Sequence, residues 1–232
     1  MTSPQRGHWV CIDGTEGAGK TTITQALIER FPSVIAISEF SRAPFGEALR
    51  RAVRESPHYI SHSPVGQSLV FLGDFIELYE SEIAPALDQG TTVLTDRGWI
   101  SKYMYQRKVL EPTLAPAAAD ELVRYILGLL PRPDFSVLLH APLDVIRQRL
   151  IERDKSCDDE RIAFISDAAR LGQEFASTLP TSAWTAADTN APLLEVVATV
   201  QTQIAAAVPA DSSERLRPLP QATADPSPRG PR

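Results

Sequence analysis

The sequence predicts an α/β fold with a parallel five-stranded sheet flanked by helices, and three observations lead there. Short apolar, β-rich runs alternate along the chain with longer stretches of helical periodicity, the pattern of strands separated by crossover helices. The first apolar run, Val10-Cys11-Ile12, passes through a glycine-rich turn straight into a helical pattern. The chain has 232 residues, 43% hydrophobic and 22% charged, enough to bury one substantial core.

Taken in order, the strands are expected at Trp9–Ile12, Val34–Ile37, Thr92–Thr95, Phe135–Leu139 and Ala183–Ala186. Between them, periodicity predicts helices at Lys20–Arg30, Gly46–Arg54, Pro64–Leu87, Ile100–Gln106, Ala117–Leu130, Leu143–Arg153, Ile162–Leu179 and Leu193–Ala207. The helix over Pro64–Leu87 is the clearest, with Leu69, Leu72, Ile76, Tyr79, Ile83 and Ala86 on one stripe. Prolines and small residues mark Ser56–Pro64 and Glu111–Ala118 as loops. After Val208, six prolines stand among Ser, Arg and Asp with few large apolar residues, so 209–232 is expected to be a disordered tail behind a single folded domain over 1–208.

The formal net charge of −6 argues against duplex DNA as the main partner, because neutralising phosphates needs a basic face. Two cysteines, Cys11 and Cys157, suggest neither a disulfide framework nor a metal cluster, and a reducing, cytoplasmic compartment is expected. No apolar run approaches the roughly 20 residues of a membrane span, and Met1 to His8 is polar, so no anchor or targeting segment is expected. The four histidines show no metal-ligand spacing.

Gly14-Thr15-Glu16-Gly17-Ala18-Gly19-Lys20-Thr21 satisfies the pattern G-x-x-x-x-G-K-[ST] between a strand and a helix. Glycines let successive N–H groups converge on phosphate oxygens, and the helix N-terminus adds its positive end. Gly14 to Thr22 is therefore the expected ATP cradle, with Lys20 on the β- and γ-phosphates and the Thr21 hydroxyl on magnesium. An ordinary glycine-rich turn is the alternative. Thr92 to Asp96 is a second apolar strand, ending in Asp96-Arg97 at the edge where α/β sheets bind ligands. Asp96 is the second metal candidate and Arg97 the candidate phosphate clamp; a structural ion pair is the alternative.

Ile12-Asp13-Gly14-Thr15-Glu16-Gly17-Ala18-Gly19-Lys20-Thr21-Thr22 resembles the opening of bacterial thymidylate kinases almost letter for letter. Gly46-Glu47-Ala48-Leu49-Arg50, Leu69-Val70-Phe71-Leu72-Gly73-Asp74, Asp96-Arg97 with Tyr105-Gln106, Pro133-Asp134-Phe135, Glu160-Arg161-Ile162 and Asp188 follow in that family's order. The resemblance implies a P-loop kinase of the nucleoside monophosphate type, with ATP as donor and dTMP or a related nucleotide as acceptor. It also implies a short lid at about 153–162 and a homodimer through the long helices.

Departures concentrate on the acceptor. Where the family carries an arginine-containing loop after its second strand, this chain has Ser38-Glu39-Phe40-Ser41-Arg42, and Arg42 is the candidate acceptor-phosphate contact. Phe75 replaces the arginine that reads thymine in the family, so selectivity for thymine is expected to be weak, within about tenfold. Gly98 replaces an aromatic wall, for which Trp99 is the candidate substitute. Phe71 is the candidate base-stacking ring, although a core role fits its helix equally well, and Tyr105 is a further acceptor contact. Forms with an acidic residue in the P-loop, here Glu16, resemble those that supply a catalytic arginine from the lid, which points to Arg153 or Arg161.

Glu39 follows a parallel strand at the ligand edge. With a hydroxyl acceptor it would be the general base, which keeps a kinase of nucleosides or other small hydroxylated metabolites as a second reading. A third reading is a regulatory protein that holds ATP without turning it over, against which Lys20, Thr21, Asp96 and Arg97 all count.

Overall fold

A computed structural model describes residues 6–31, 33–55 and 62–207. The tail over 209–232 and most of the predicted 56–64 loop lie outside the described residues. Along the chain run β1 (Trp9–Gly14), α1 (Lys20–Arg30), β2 (Val34–Ile37), α2 (Pro44–Glu55), α3 (Pro64–Leu78), a π-helical turn (Tyr79–Ile83) and α4 (Ala84–Asp88). There follow β3 (Thr92–Asp96), α5 (Trp99–Leu110), α6 (Pro116–Leu127), β4 (Phe135–His140), α7 (Leu143–Asp154), α8 (Asp159–Ser177), β5 (Trp184–Asp188) and α9 (Leu193–Ala207).

All five strands are parallel, in the order β2-β3-β1-β4-β5. Alternation of side chains assigns each strand residue to one face. Trp9, Cys11, Val93 and Leu138 join a core with residues of α3, α5, α6 and α8. Val10, Ile12, Leu94, Val137 and Leu139 join a second core with residues of α1 and α9. Because both faces are covered, β1 is buried along its whole length, and Trp9 to Ile12 reads as one unbroken apolar run. β1 pairs with β3 so that Ile12 lies level with Asp96. The turns after these two strands therefore open side by side, where the order of the sheet reverses and ligands bind.

The predicted helix over Pro64–Leu87 is three pieces. Ser63 caps α3 by accepting from Gly66 N at 3.1 Å, with Pro64 in the first turn. Pro85 cannot donate to Ser81, and its ring would collide with that carbonyl in a regular helix. The widened turn, with Ala84 N donating to Tyr79 O, makes room for it while Ile83 and Leu87 stay buried. In α8 the side chain of Asp158 accepts from Arg161 N at 2.8 Å, which starts that helix at Asp159 rather than Ile162.

Gly98, at the start of α5, lies against β1. A methyl group there would meet Cys11 Sγ at 2.2 Å and Cys11 Cβ at 2.5 Å, so no aromatic ring fits in place of its hydrogen. Gly98→Ala is expected to destabilise the fold by about 1–3 kcal/mol through overpacking, read as a lower thermal midpoint, with partial recovery on adding Cys11→Ala. An unchanged midpoint would show that Cys11 moves aside freely.

Candidate active site

The P-loop leaves β1 at Gly14, whose φ of 144° no other residue adopts easily. A Cβ at Gly14 would also lie 2.6 Å from Leu139 O on the neighbouring strand. Lys20 is buried and donates to Thr15 O at 2.8 Å. Burial first, and repulsion from Arg97 second, push its pKa down to about 7, against the pull of Asp96, Glu39 and Asp13. Gly17, Gly19, Lys20, Thr21 and Thr22 line a cleft of about 800 Å³ with Asp96, Arg97, Arg149 and Arg153. Ala18 is buried against the sheet and Thr15 is enclosed, so these two, like Gly14, contribute through the loop backbone.

Thr21 Oγ1 donates to Asp96 Oδ2 at 3.1 Å, and Asp96 Oδ1 is buried without a hydrogen-bond partner. A hydroxyl and a carboxylate side by side are hard oxygen donors of the kind magnesium takes when phosphates and waters complete its shell. Among the described residues no group of three or more His, Cys, Asp or Glu side chains gathers as an all-protein metal cage. The structure thus brings together the pair that sequence reasoning singled out.

Arg97 has a left-handed backbone, φ 80°, rare for a residue with a side chain and frequent where function dictates geometry. Its Nε donates to Glu39 Oε2 at 2.6 Å, its Nη1 lies 3.3 Å from Gly14 O, and its guanidinium stacks 4.9 Å from the Tyr105 ring centroid. Glu39 also receives Lys102 Nζ at 3.4 Å. Burial alone would raise the Glu39 pKa, but Arg97 and Lys102 outweigh it and hold the carboxyl below its usual range.

A second pocket, of about 540 Å³, adjoins the cleft and shares Glu16, Glu39, Arg97 and Arg153 with it. Phe40 and Phe71, edge to face at 5.8 Å, form an aromatic wall with Gln67, Lys102, Tyr105 and Gln106 around them. Phe71 thus faces the pocket, and Tyr105 lines it while its hydroxyl accepts from Glu16 N at 2.8 Å.

Three acceptor-site expectations need correction. Arg42 does not line the pocket: its backbone and guanidinium both bind Glu82 on the π-helical turn, and its side chain is 85% exposed. Phe75 is 1% exposed and packs in the core with Trp9, so it reads no ligand. Trp99 also turns into that core and does not replace the wall absent at Gly98.

Sequence reasoning missed Asp74, which is fully buried and accepts from Ser41 Oγ at 2.6 Å, fixing the Glu39–Ser41 loop to α3. It also missed Arg149, which ties Gly17 O to Thr189 and lines the first cleft. A buried acid in an apolar helix was the available signal for Asp74; Arg149 was hidden among neighbouring arginines.

At the far side of the site, Arg161 binds Glu16 at 2.6 Å and Asp154 at 2.7 Å and is itself buried. Arg153 lies 3.5 Å from Glu16, with a side chain 55% exposed. Hydrogen bonds from Arg153 first, then Arg161, against the opposing effect of burial, lower the Asp154 pKa to about 2. Both arginines sit on ordered helix, because only four residues separate α7 from α8.

A family model described as thymidylate kinase matches residues 12–200. The chain belongs to the thymidylate kinase family. Among relatives of this thymidylate kinase family member, a probable thymidylate kinase of Pyrobaculum aerophilum is 29% identical, covering 68% of this chain and 77% of its own. A thymidylate kinase of Marinomonas sp. is 30% identical, over 68% and 76%. The solved thymidylate kinases of Candida albicans and Ehrlichia chaffeensis share the fold, with TM-scores of 0.70 and 0.64 at 18% and 16% identity. The former alignment covers 93% of this chain and 96% of that one, the latter 86% and 99%. No helix among the described residues is long and apolar enough to cross a membrane.

A triphosphate seated on Lys20 would restore its charge. Binding of a triphosphate is therefore expected to take up about one proton at pH 8, because the free lysine is mostly neutral there and the bound one is not. Affinity should fall as pH rises above 7. Calorimetry in buffers of different ionisation enthalpy measures the uptake; none, or none lost in Lys20→Met, would contradict the assignment.

Proposed function

We propose that the protein transfers the γ-phosphoryl group of ATP, as its magnesium complex, to the phosphate of a nucleoside monophosphate, dTMP or a close relative. The observation that carries this is the shared boundary: the P-loop cleft and the aromatic pocket meet at Glu39, Arg97 and Arg153. A donor in the first and a nucleotide in the second bring their phosphates together there. Phosphoryl transfer is mostly positioning and neutralisation of charge, and Lys20, Arg97 and Arg153 supply cations at the meeting point. Magnesium on Thr21 and Asp96 would add charge neutralisation between the β- and γ-phosphates.

Glu39 argues for a phosphate acceptor over a hydroxyl. An acceptor phosphate needs no base, whereas a hydroxyl gains from one of high proton affinity. Two cations reduce the proton affinity of Glu39, so the carboxylate suits orienting Arg97 and Lys102 rather than removing a proton.

The segment at 153–162 acts in this reading as a short lid, and its two arginines divide the work. Arg161, buried and doubly paired, positions Glu16. Arg153 borders both clefts, is the more exposed of the two and is held chiefly by Asp154 beside it on α7, and is the residue that reaches the transferring group. Arg153→Ala is expected to lower kcat by about 10³, the scale of an arginine that stabilises the transition state, with the KM for either substrate changed by less than about threefold. A kcat within tenfold of the natural protein would reassign that role.

The reaction itself is tested by product analysis with ATP and either dTMP or thymidine. Formation of dTDP with dTMP, and at least about 100-fold slower turnover of thymidine, is expected from a site built around a phosphate. Preferential phosphorylation of thymidine, abolished in Glu39→Gln, would favour the hydroxyl-acceptor reading.

A further inference from the structure

Lys102 is a buried charged residue at the acceptor pocket whose pairing with Glu39 accounts for only part of its surroundings. It sits on α5 with its side chain 2% exposed, yet it borders the acceptor pocket. Its one carboxylate neighbour among the described residues, Glu39, is at 3.4 Å and is already held by Arg97 at 2.6 Å. Otherwise the ammonium lies over the rings of Phe40 and Phe75, 5.4 and 5.5 Å from their centroids. Enclosing an ammonium among rings is costly, and an apolar chain of equal length would fill the space without that cost. A lysine carries three donors and no acceptor, so a ligand atom beside it must be an acceptor.

One helical turn on, Gln106 stands on the same face of α5 and lines the same pocket. Gln106 is 4% exposed, and its Oε1 is buried without a hydrogen-bond partner. A donor from Lys102 and an unused acceptor from Gln106 thus stand one turn apart beside the Phe71 ring. The imide edge of a keto pyrimidine presents the complement, a carbonyl oxygen next to a ring N–H. A 4-amino pyrimidine presents the reverse, an N–H donor toward the ammonium and a bare ring nitrogen toward the Gln106 oxygen.

We propose that Lys102 is the specificity-determining residue of the acceptor pocket, donating to the base carbonyl of a keto pyrimidine nucleotide while Gln106 Oε1 accepts from the adjacent ring N–H. The inference rests on the nucleoside monophosphate reading given above. It reverses the weak thymine selectivity expected from Phe75, because the donor comes from α5 and not from α3.

The test compares kcat/KM for dTMP and 5-methyl-dCMP, which differ only at that edge, in the natural protein and in Lys102→Met. The natural protein is expected to prefer dTMP by at least about 100-fold, as sites built to hydrogen-bond their substrate do. In Lys102→Met the preference should fall to about tenfold or less, through a raised KM for dTMP with kcat changed by less than about threefold. A purely supporting role for Lys102, through Glu39, would instead depress both nucleotides alike and leave the ratio unchanged, which would overturn the proposal. Because a buried substitution can impair folding, equilibrium binding of the two nucleotides to the natural protein provides an independent arm. Affinities within threefold of each other would also overturn it. Failure of the natural protein to bind or turn over either nucleotide would overturn the functional reading as well, whereas turnover of both at an unaltered ratio would overturn only the role of Lys102.

Discussion

The site depends on one buried carboxylate. Asp13 ends the apolar part of β1 with no exposed surface, and its Oδ1 accepts from both Gly98 N at 2.7 Å and Ser101 N at 2.9 Å. These are orphan amides of the first turn of α5, which has no local side-chain cap. The cap comes instead from the strand that launches the P-loop. Burial raises the Asp13 pKa, while the bonds from Ser101 and Gly98 and the charge of Arg97 oppose that rise. Three further bonds run the same way: Arg97 N to Ile12 O at 3.0 Å, Gly14 N to Ser101 Oγ at 3.2 Å and Glu16 N to Tyr105 Oη at 2.8 Å. The phosphate cradle and the Asp96-Arg97 turn are thereby one rigid body, and the positions of Lys20, Thr21, Asp96 and Arg97 relative to one another follow from it.

Around that body the electrostatics are arranged by pairing rather than by net charge. Each carboxylate at the boundary of the two clefts holds cations: Glu39 takes Arg97 and Lys102, and Glu16 takes Arg161 and Arg153. Such pairs are costly to bury unless other hydrogen bonds complete them, and Asp154 completes the second group by binding both Arg153 and Arg161.

Much of this was legible in the sequence. All five strands and the P-loop were readable because periodicity and glycine placement are local signals. The nearness of Thr21 and Asp96 was readable because parallel sheets present the ends of their strands together. The acceptor pocket was less legible, and the reason is physical. Phe75 and Arg42 were judged by position along an element, but burial against Trp9 removes the first, and the carboxylate of Glu82, placed by a proline-driven π turn, diverts the second. Asp74, Lys102 and the capping role of Asp13 depend on partners 33, 63 and 85 residues away, which no local pattern announces.

The claim that Asp13 joins the two halves of the site is tested most directly by amide hydrogen exchange of Asp13→Ala, read alongside turnover. The account predicts that the Gly98 and Ser101 amides, protected in the natural protein, exchange freely in the variant while the β4 and β5 amides stay protected, and that kcat falls by at least about 100-fold. Protection of those two amides retained, or turnover within threefold of the natural protein, would contradict it.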